Sequence, residues 1–366
     1  MSLVHEESEM QYINELKQFC KNVYLVRINY SKKLSAIKTL FSPLPWDTVA
    51  FYSKDMKNKA REITTSQKFD VIWINFLSMA NYIDRKYTSK SVIILDQHNV
   101  DELVWKNYAQ SSRNLPLKLF SSINYQKIKG YQRKTIKNFQ AVACCSNNDA
   151  DFMRRSIPEY VQTWLVPNGV DTEFFKPEVS YARKANIIML CASMNVGMNI
   201  EAAYHFAKEV FPAIKEKVPD SQFWIVGRKP DSKLRALDKE GYIKVTGSVP
   251  DVRPYYNKAR VIVAPYKLGG GTKLKILEAM SMNLPIVATS TGFQGIDLPV
   301  DAQIYVRDNM SEFAEAIIAI LHPTETDKNG ATNTSRNFVE KKYGWGCIID
   351  NIEPKLIDLV KNNHKQ

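Results

Sequence analysis

Twelve strand-length apolar runs alternate with longer helical stretches along this 366-residue chain, and that alternation restricts its fold more than any other feature. In the first half the runs are Val23 to Ile28, Thr48 to Phe51, Val71 to Ile74, Val92 to Leu95, Ala141 to Cys144 and Thr163 to Val166. In the second they are Ile187 to Cys191, Phe223 to Val226, Ile243 to Val245, Val261 to Ala264, Ile286 to Ala288 and Ile304 to Val306. Runs of this kind suit parallel strands covered by helices. The expected class is α/β, with two doubly wound domains. We place the first over residues 1–167, a linker over 168–184, the second over 185–336, and C-terminal helices over 337–366 that pack back toward the first domain. The linker carries the turn pair Asn168-Gly169 and then Pro177, with no helical or strand period.

One segment has the composition of an anion site. From Ala264 to Gly295 a strand end, three glycines (Gly269, Gly270, Gly271), a helix opening on Thr272 and a second strand form about one βαβ unit. Glycines let backbone approach an anion, and the N–H groups of the following helix point at it with the helix dipole behind them. Lys273 and Lys275 add positive charge there, and Glu278 stands where it can accept hydrogen bonds from a pair of sugar hydroxyls. Three glycines alone do not distinguish such a site from a steric turn; the lysines and the glutamate tip the reading. The spacing is that of neither a Walker loop nor the dinucleotide fingerprint.

The net charge of +12 is unevenly distributed. Residues 1–166 hold 24 Lys and Arg against 15 Asp and Glu, a surplus of 9, which leaves 12 − 9 = 3 for the rest. Between 103 and 148 there are eight bases and no acid, interleaved with Phe120, Ile123, Ile128, Tyr131 and Ile136. The stretch Lys118 to Lys137 reads either as a basic amphipathic helix on an anionic membrane surface or as a solvated helix whose apolar side packs on a sheet. No nucleic-acid module accompanies it, so no nucleic-acid partner is expected. No apolar run approaches the roughly 18 residues of a membrane span, and there is no secretory signal. The five cysteines are scattered without a Cys-x-x-Cys pair, which indicates neither a disulfide framework nor a zinc site. A cytoplasmic protein, peripheral at the inner face of the plasma membrane, is the expectation.

Two doubly wound domains would face each other across a cleft between the C-terminal ends of their sheets, where open α/β proteins bind ligands. The glycine-rich segment ends one such strand. His98 follows Leu95-Asp96-Gln97 at the end of another and precedes an apparent helix start, a position from which it can face a ligand or simply satisfy a local hydrogen bond.

An ordered set of motifs then resembles a known family. Val166-Pro167-Asn168-Gly169-Val170-Asp171 with Phe174 and Pro177, Val226-Gly227-Arg228, Gly247-Ser248-Val249-Pro250-Asp251-Val252 and GGGTKLKILEAMSMNLPIVAT resemble the GT-B glycosyltransferases of family 4, over nearly the whole chain. The similarity implies a GT-B fold of two Rossmann-like domains, the second binding a nucleotide-activated sugar and the first an acceptor. It implies a retaining glycosyltransferase that moves sugar from a nucleoside diphosphate sugar to a glycan or lipid-linked acceptor in bacterial polysaccharide assembly. By position Glu278 matches the ribose-holding glutamate, Gly271 to Lys273 the diphosphate loop, and His98 the histidine near the transferred sugar. No cofactor and no metal is implied. Asp149-Ala150-Asp151 superficially resembles a metal-binding pair, but its place after Ser146 suits helix capping better.

The sequence departs from that pattern in three places. The glutamate commonly found eight positions before the ribose ligand is Gly270, and the usual Arg and Lys after the second domain's first strand are absent from Ala192 to Asn199. Arg228, Lys273 and Lys275 are the candidates to supply that charge. At the front, Met1 falls near the end of what would be the family's second strand, with Glu6 to Cys20 as the next helix, so that one βα unit is expected to be missing. Two rival readings follow: a catalytically impaired glycosyltransferase-like scaffold, and a sugar-nucleotide epimerase of the same fold.

Overall fold

The computed structural model describes residues 1–366 apart from 30, 113, 179–184, 268–271, 301, 323–333 and 366. It divides into two compact units, the first of Met1–Val166 with Glu353–Gln366, the second of Pro167–Ile352. Each is built on parallel strands.

In the second unit β7 (Ile187–Cys191), β8 (Gln222–Val226), β9 (Ile243–Val245), β10 (Val261–Ala264), β11 (Ile286–Ala288) and β12 (Ile304–Val306) form one sheet. Its order is β12-β11-β10-β7-β8-β9, every pair parallel. The chain leaves β7 toward one edge and then returns to build the other, so the topological switch lies between β7 and β10. Strand alternation explains the two cores. Met189 faces one side with Tyr256, Leu277 and Met280, whereas Ile188 and Leu190 face the other with Phe206, Phe211, Phe223 and Phe313. All six strands fall where their apolar runs lie.

The division falls at Val166, and this corrects the expected linker: residues 167–178 are packed into the second unit. Long-range bonds hold them. Arg336 donates to the carbonyls of Thr172, Phe175 and Ser281, Val170 N–H donates to the Tyr343 carbonyl at 2.8 Å, and Phe175 packs edge-on against Tyr256. None of these partners is near in sequence, so no local period reveals them. The C-terminal stretch is likewise divided, with Thr334–Lys342 in the second unit and residues 353–366 in the first.

The first unit holds two sheets. One is β3 (Val71–Asn75), β4 (Val92–Gln97), β5 (Ala141–Cys144) and β6 (Gln162–Leu165) in that order; the other pairs β1 (Ser2–Val4) with β2 (Leu25–Arg27), again parallel. A cavity of about 1010 Å³ is lined by Met1, Ser2 and Leu3 on one side and by Val71 to Phe76 on the other, with Met56, Ala60 and Tyr82 also on its wall. Two sequence expectations fail in this unit. Thr48 to Phe51 is not a strand: Trp46–Ala50 is helical, started by Pro45 in extended conformation and Asp47 in the first turn. Asp47 accepts from Trp105 Nε1 at 3.1 Å and Trp46 N–H donates to Asn124 Oδ1 at 2.7 Å, so tertiary bonds override β-propensity. Glu6 to Cys20 forms only a 3-10 turn, Glu7–Tyr12, and one helical turn, Ile13–Leu16, which buries no residue and therefore has no apolar face to extend it. Among the described residues no helix is long and apolar enough to cross a membrane.

Candidate functional site

Of the candidate donor residues, Arg228 follows the C-terminal end of β8, and Thr272, Lys273, Lys275 and Glu278 follow that of β10, strands on either side of the switch point where open parallel sheets bind ligands. After β10 the chain reaches helix Leu274–Ser281. The helix begins two residues later than expected, with Lys273 in extended conformation as its cap and no capping hydrogen bond from the Lys273 side chain. A helix start without a side-chain cap offers N–H groups to an external acceptor.

Glu278 stands on the second turn and is only 8% exposed. Lys275 Nζ lies 2.7 Å from its Oε1 and 3.0 Å from its Oε2, and the Tyr256 hydroxyl donates to Oε2 at 3.0 Å. Lys275 reaches it because residues three apart share a helix face. Tyr256 comes from another element, helix Arg253–Lys258, and is fully buried. Three hydrogen bonds orient the carboxylate and leave acceptor capacity on an ion with about four lone-pair positions. Cys191, at the end of β7, lies in the same pocket of charge. Burial pushes its thiol up to about 11, so it stays a neutral thiol rather than a nucleophile. Burial likewise raises the Tyr256 hydroxyl well above its usual range, with Cys191 and Glu278 adding to the effect, so it remains a donor.

Lys273 lies with its ammonium 5.5 Å from the Tyr266 ring, and burial lowers its pKa from the usual lysine value. Thr272 closes the same loop onto the turn after β11: its Oγ1 is 3.4 Å from the Gly295 carbonyl. Thr289 Oγ1 completes the tie by donating to the Tyr266 carbonyl at 2.6 Å. Gly270 and Gly271, with Gly269, lie outside the described residues.

Arg228 follows β8, and its Nε donates to Ser193 Oγ at 3.0 Å, which joins the loops after β7 and β8. The approach is so close that a Cβ on Gly227 would sit 1.7 Å from the Ala192 carbonyl oxygen. No hydrogen bond or ion pair links Arg228 to the Lys275–Glu278 pair among the described residues. Four residues here had no sequence signal of a role: Tyr256, Tyr266, Ser193 and Cys191. Only the positions of Ser193 and Tyr266 just beyond strand ends could have marked them.

His98 belongs to the first unit. It follows β4 with its ring 39% exposed, its Nε2 3.8 Å from Asp96 Oδ2 and its ring centre 5.3 Å from that of Phe76. Trp73 Nε1 donates to the same Asp96 oxygen at 2.9 Å, and the Cys145 thiol donates to the His98 carbonyl at 2.9 Å. Helix Asp101–Ser111 begins just after it. The Asp149-Ala150-Asp151 stretch is divided between two local roles. Ser146 caps the helix by accepting from Asp149 N–H at 3.2 Å, and Asp151 pairs with Arg154. No group of three or more metal-binding side chains occurs among the described residues.

Comparison with known proteins extends this geometry. Residues 185–323, which contain Arg228, Tyr256, Lys273, Lys275 and Glu278, match the family model "Glycosyl transferases group 1". An uncharacterized 44.6 kDa protein in the cps region of Klebsiella pneumoniae is 22% identical over 95% of this chain and 87% of its own. Among solved structures, sucrose-phosphate synthase from Thermosynechococcus elongatus superposes with a TM-score of 0.65 at 18% identity, over 92% of this chain and 84% of that one. Anabaena HepE in complex with UDP-glucose does so with a TM-score of 0.63 at 14% identity, over 97% and 98%. The chain therefore has the GT-B fold of two Rossmann-like units, and its match over residues 185–323 supports a glycosyltransferase.

Proposed function

We propose that the chain transfers a glycosyl group from a nucleoside diphosphate sugar to a glycan or lipid-linked acceptor, with retention of anomeric configuration, in bacterial polysaccharide assembly at the cytoplasmic face of the membrane. The observation that carries the proposal is the Glu278 carboxylate, buried and oriented by Lys275 and Tyr256 four residues beyond an uncapped helix start at the sheet's switch point. A carboxylate so placed suits a ribose hydroxyl pair, and the helix start suits the diphosphate. The UDP-glucose complex of HepE and the cps-region relative are consistent with the donor class and the setting.

Breaking the bond between the anomeric carbon and the diphosphate oxygen leaves negative charge on the diphosphate. Helix N–H groups, Lys273 and Lys275 would lower the barrier by meeting that charge as it develops. Arg228 adds a guanidinium held by Ser193, and His98 is assigned to the transferred sugar. No divalent cation enters the proposal, so chelation with EDTA is expected to leave turnover unchanged. The test is release of UDP or GDP from a panel of nucleotide sugars by wild type and Glu278→Gln. Turnover lost in the variant supports transfer. Nucleotide binding without turnover in the wild type would favour a scaffold instead.

A further inference from the structure

Two neighbouring helices of the first unit carry their apolar residues outward. In helix Leu115–Thr135 the buried residues are Ser121, Asn124, Ile128 and Gln132, mostly polar, whereas Leu115 (76% exposed), Leu119 (65%) and Ile123 recur every four residues on the opposite side. Helix Lys32–Leu40 repeats the inversion. It buries Ser35 and Thr39 and exposes Leu34, Ile37 and, at its C-cap, Phe41 (88% exposed). An amphipathic helix folding onto a soluble core has the reverse arrangement. The two helices are joined by Lys127 Nζ, which donates to the carbonyls of Thr39 and of Ser42 just beyond it, and Asn124 accepts from Trp46 N–H at the start of the following helix.

Charge selects the partner. Neither Ser31 to Trp46 nor Asn114 to Asn138 contains an acid, and the exposed leucines are flanked by exposed Lys32, Lys33, Lys38 and Lys118. Large exposed apolar side chains with exposed lysines beside them and no acid in either segment fit the boundary between acyl chains and anionic headgroups. There the leucines and phenylalanine bury and the ammonium groups reach phosphate. A two-fold contact between copies of this chain would set the same lysines against one another. The basic stretch Lys118 to Lys137 does not present all of its bases to this surface, because Lys127 is turned inward onto backbone carbonyls.

We infer that Leu34, Ile37, Phe41, Leu115, Leu119 and Ile123, with the lysines beside them, dock the protein on an anionic phospholipid bilayer. The inference does not depend on the glycosyl-transfer reading. It is tested by cosedimentation of the full chain with phosphatidylcholine vesicles and with vesicles containing about 30% phosphatidylglycerol. Binding only to the anionic vesicles is expected. Each lysine near such a surface contributes roughly a fivefold factor, so Lys33→Glu, Lys38→Glu and Lys118→Glu together should weaken partitioning by about a hundredfold or more. Leu115→Ser with Leu119→Ser should weaken it also while leaving the thermal transition in place, since both side chains are solvent-exposed. Leu119→Trp should show a blue-shifted emission on adding anionic vesicles. Equal binding to both vesicle types, an unshifted Leu119→Trp emission, or a dimer in sedimentation velocity that the serine variant dissolves would each overturn the inference.

Discussion

Replacing Tyr256 with Phe tests the Glu278 arrangement with little change of shape. The hydroxyl lies 3.0 Å from Glu278 Oε2, and the tyrosine is 0% exposed. Phenylalanine fills the same volume, so no cavity term enters. What is lost is one hydrogen bond to a charged acceptor, about 1.5–3 kcal/mol. Nearly all of that should register, because water cannot replace the hydroxyl at a site this enclosed, while the two Lys275 contacts keep the carboxylate from being abandoned. For a unit of this size each kcal/mol moves the thermal midpoint by about 2–4 °C, so Tyr256→Phe should lower it by about 3–12 °C. Donor binding should respond differently. Glu278→Gln, which removes the charge that would meet two ribose hydroxyls, should weaken nucleotide-sugar binding by about 3–6 kcal/mol, or roughly 160-fold to 25,000-fold. Tyr256→Phe leaves the charge in place and should cost no more than about tenfold. Differential scanning fluorimetry and calorimetric titration with the best donor of the panel measure both quantities. An unchanged melting point in Tyr256→Phe, or donor affinity in Glu278→Gln within threefold of wild type, would refute the reasoning.

Asp101 predicts a pH dependence of the first unit. It lines the cavity, and burial followed by the nearby Asp47 charge pushes its carboxyl up from 3.8 to about 7. A raised acid stabilises the folded state fully below its unfolded pKa and loses that contribution as pH rises toward the folded value. Unfolding free energies of the wild type from urea titration should therefore fall between pH 4 and about 7, by on the order of 4 kcal/mol, and those of Asp101→Asn should stay flatter. Gly227→Ala should destabilise the second unit by about 3 kcal/mol or more, read as loss of soluble protein or a much lower melting point, because its Cβ would meet the Ala192 carbonyl oxygen at 1.7 Å. Arg336→Ala should strand the carbonyls of Thr172 and Ser281, leave that of Phe175 with only the Ser281 hydroxyl, and cost about 2–5 kcal/mol, with new proteolytic cleavage within residues 167–178 as the direct readout.

Strand positions in the second unit were legible because a parallel strand buried on both faces writes itself as a local apolar run, such as Val261-Ile-Val-Ala264. The same logic failed at Thr48 to Phe51, where the partners that decide the conformation, Trp105 and Asn124, are 58 and 78 residues away from the groups they bond. The Lys275–Glu278 pair was visible at its helical spacing, although its mutual bonding was not. Composition also revealed a basic first half, and the acid-free stretch around Lys118 to Lys137 falls on the helix that carries outward leucines. Its bases were conspicuous. Its outward leucines were not, since a leucine in sequence does not say which side of a helix faces the core.

Local chemistry thus determined the elements of this protein: apolar period sets strand or helix, glycine and proline set the turns, and neighbouring residues set the charge at a helix start. Folding decided everything that depends on residues distant in the chain. It brought Tyr256 to Glu278 across 22 positions, drew the segment after Val166 into the second unit through Arg336, and turned serine, asparagine and glutamine inward where leucine and phenylalanine face out. The physical reason is that a hydrogen bond or a buried face has no signature until its partner arrives, and the partners here come from the sheet's crossovers rather than from the adjacent turn.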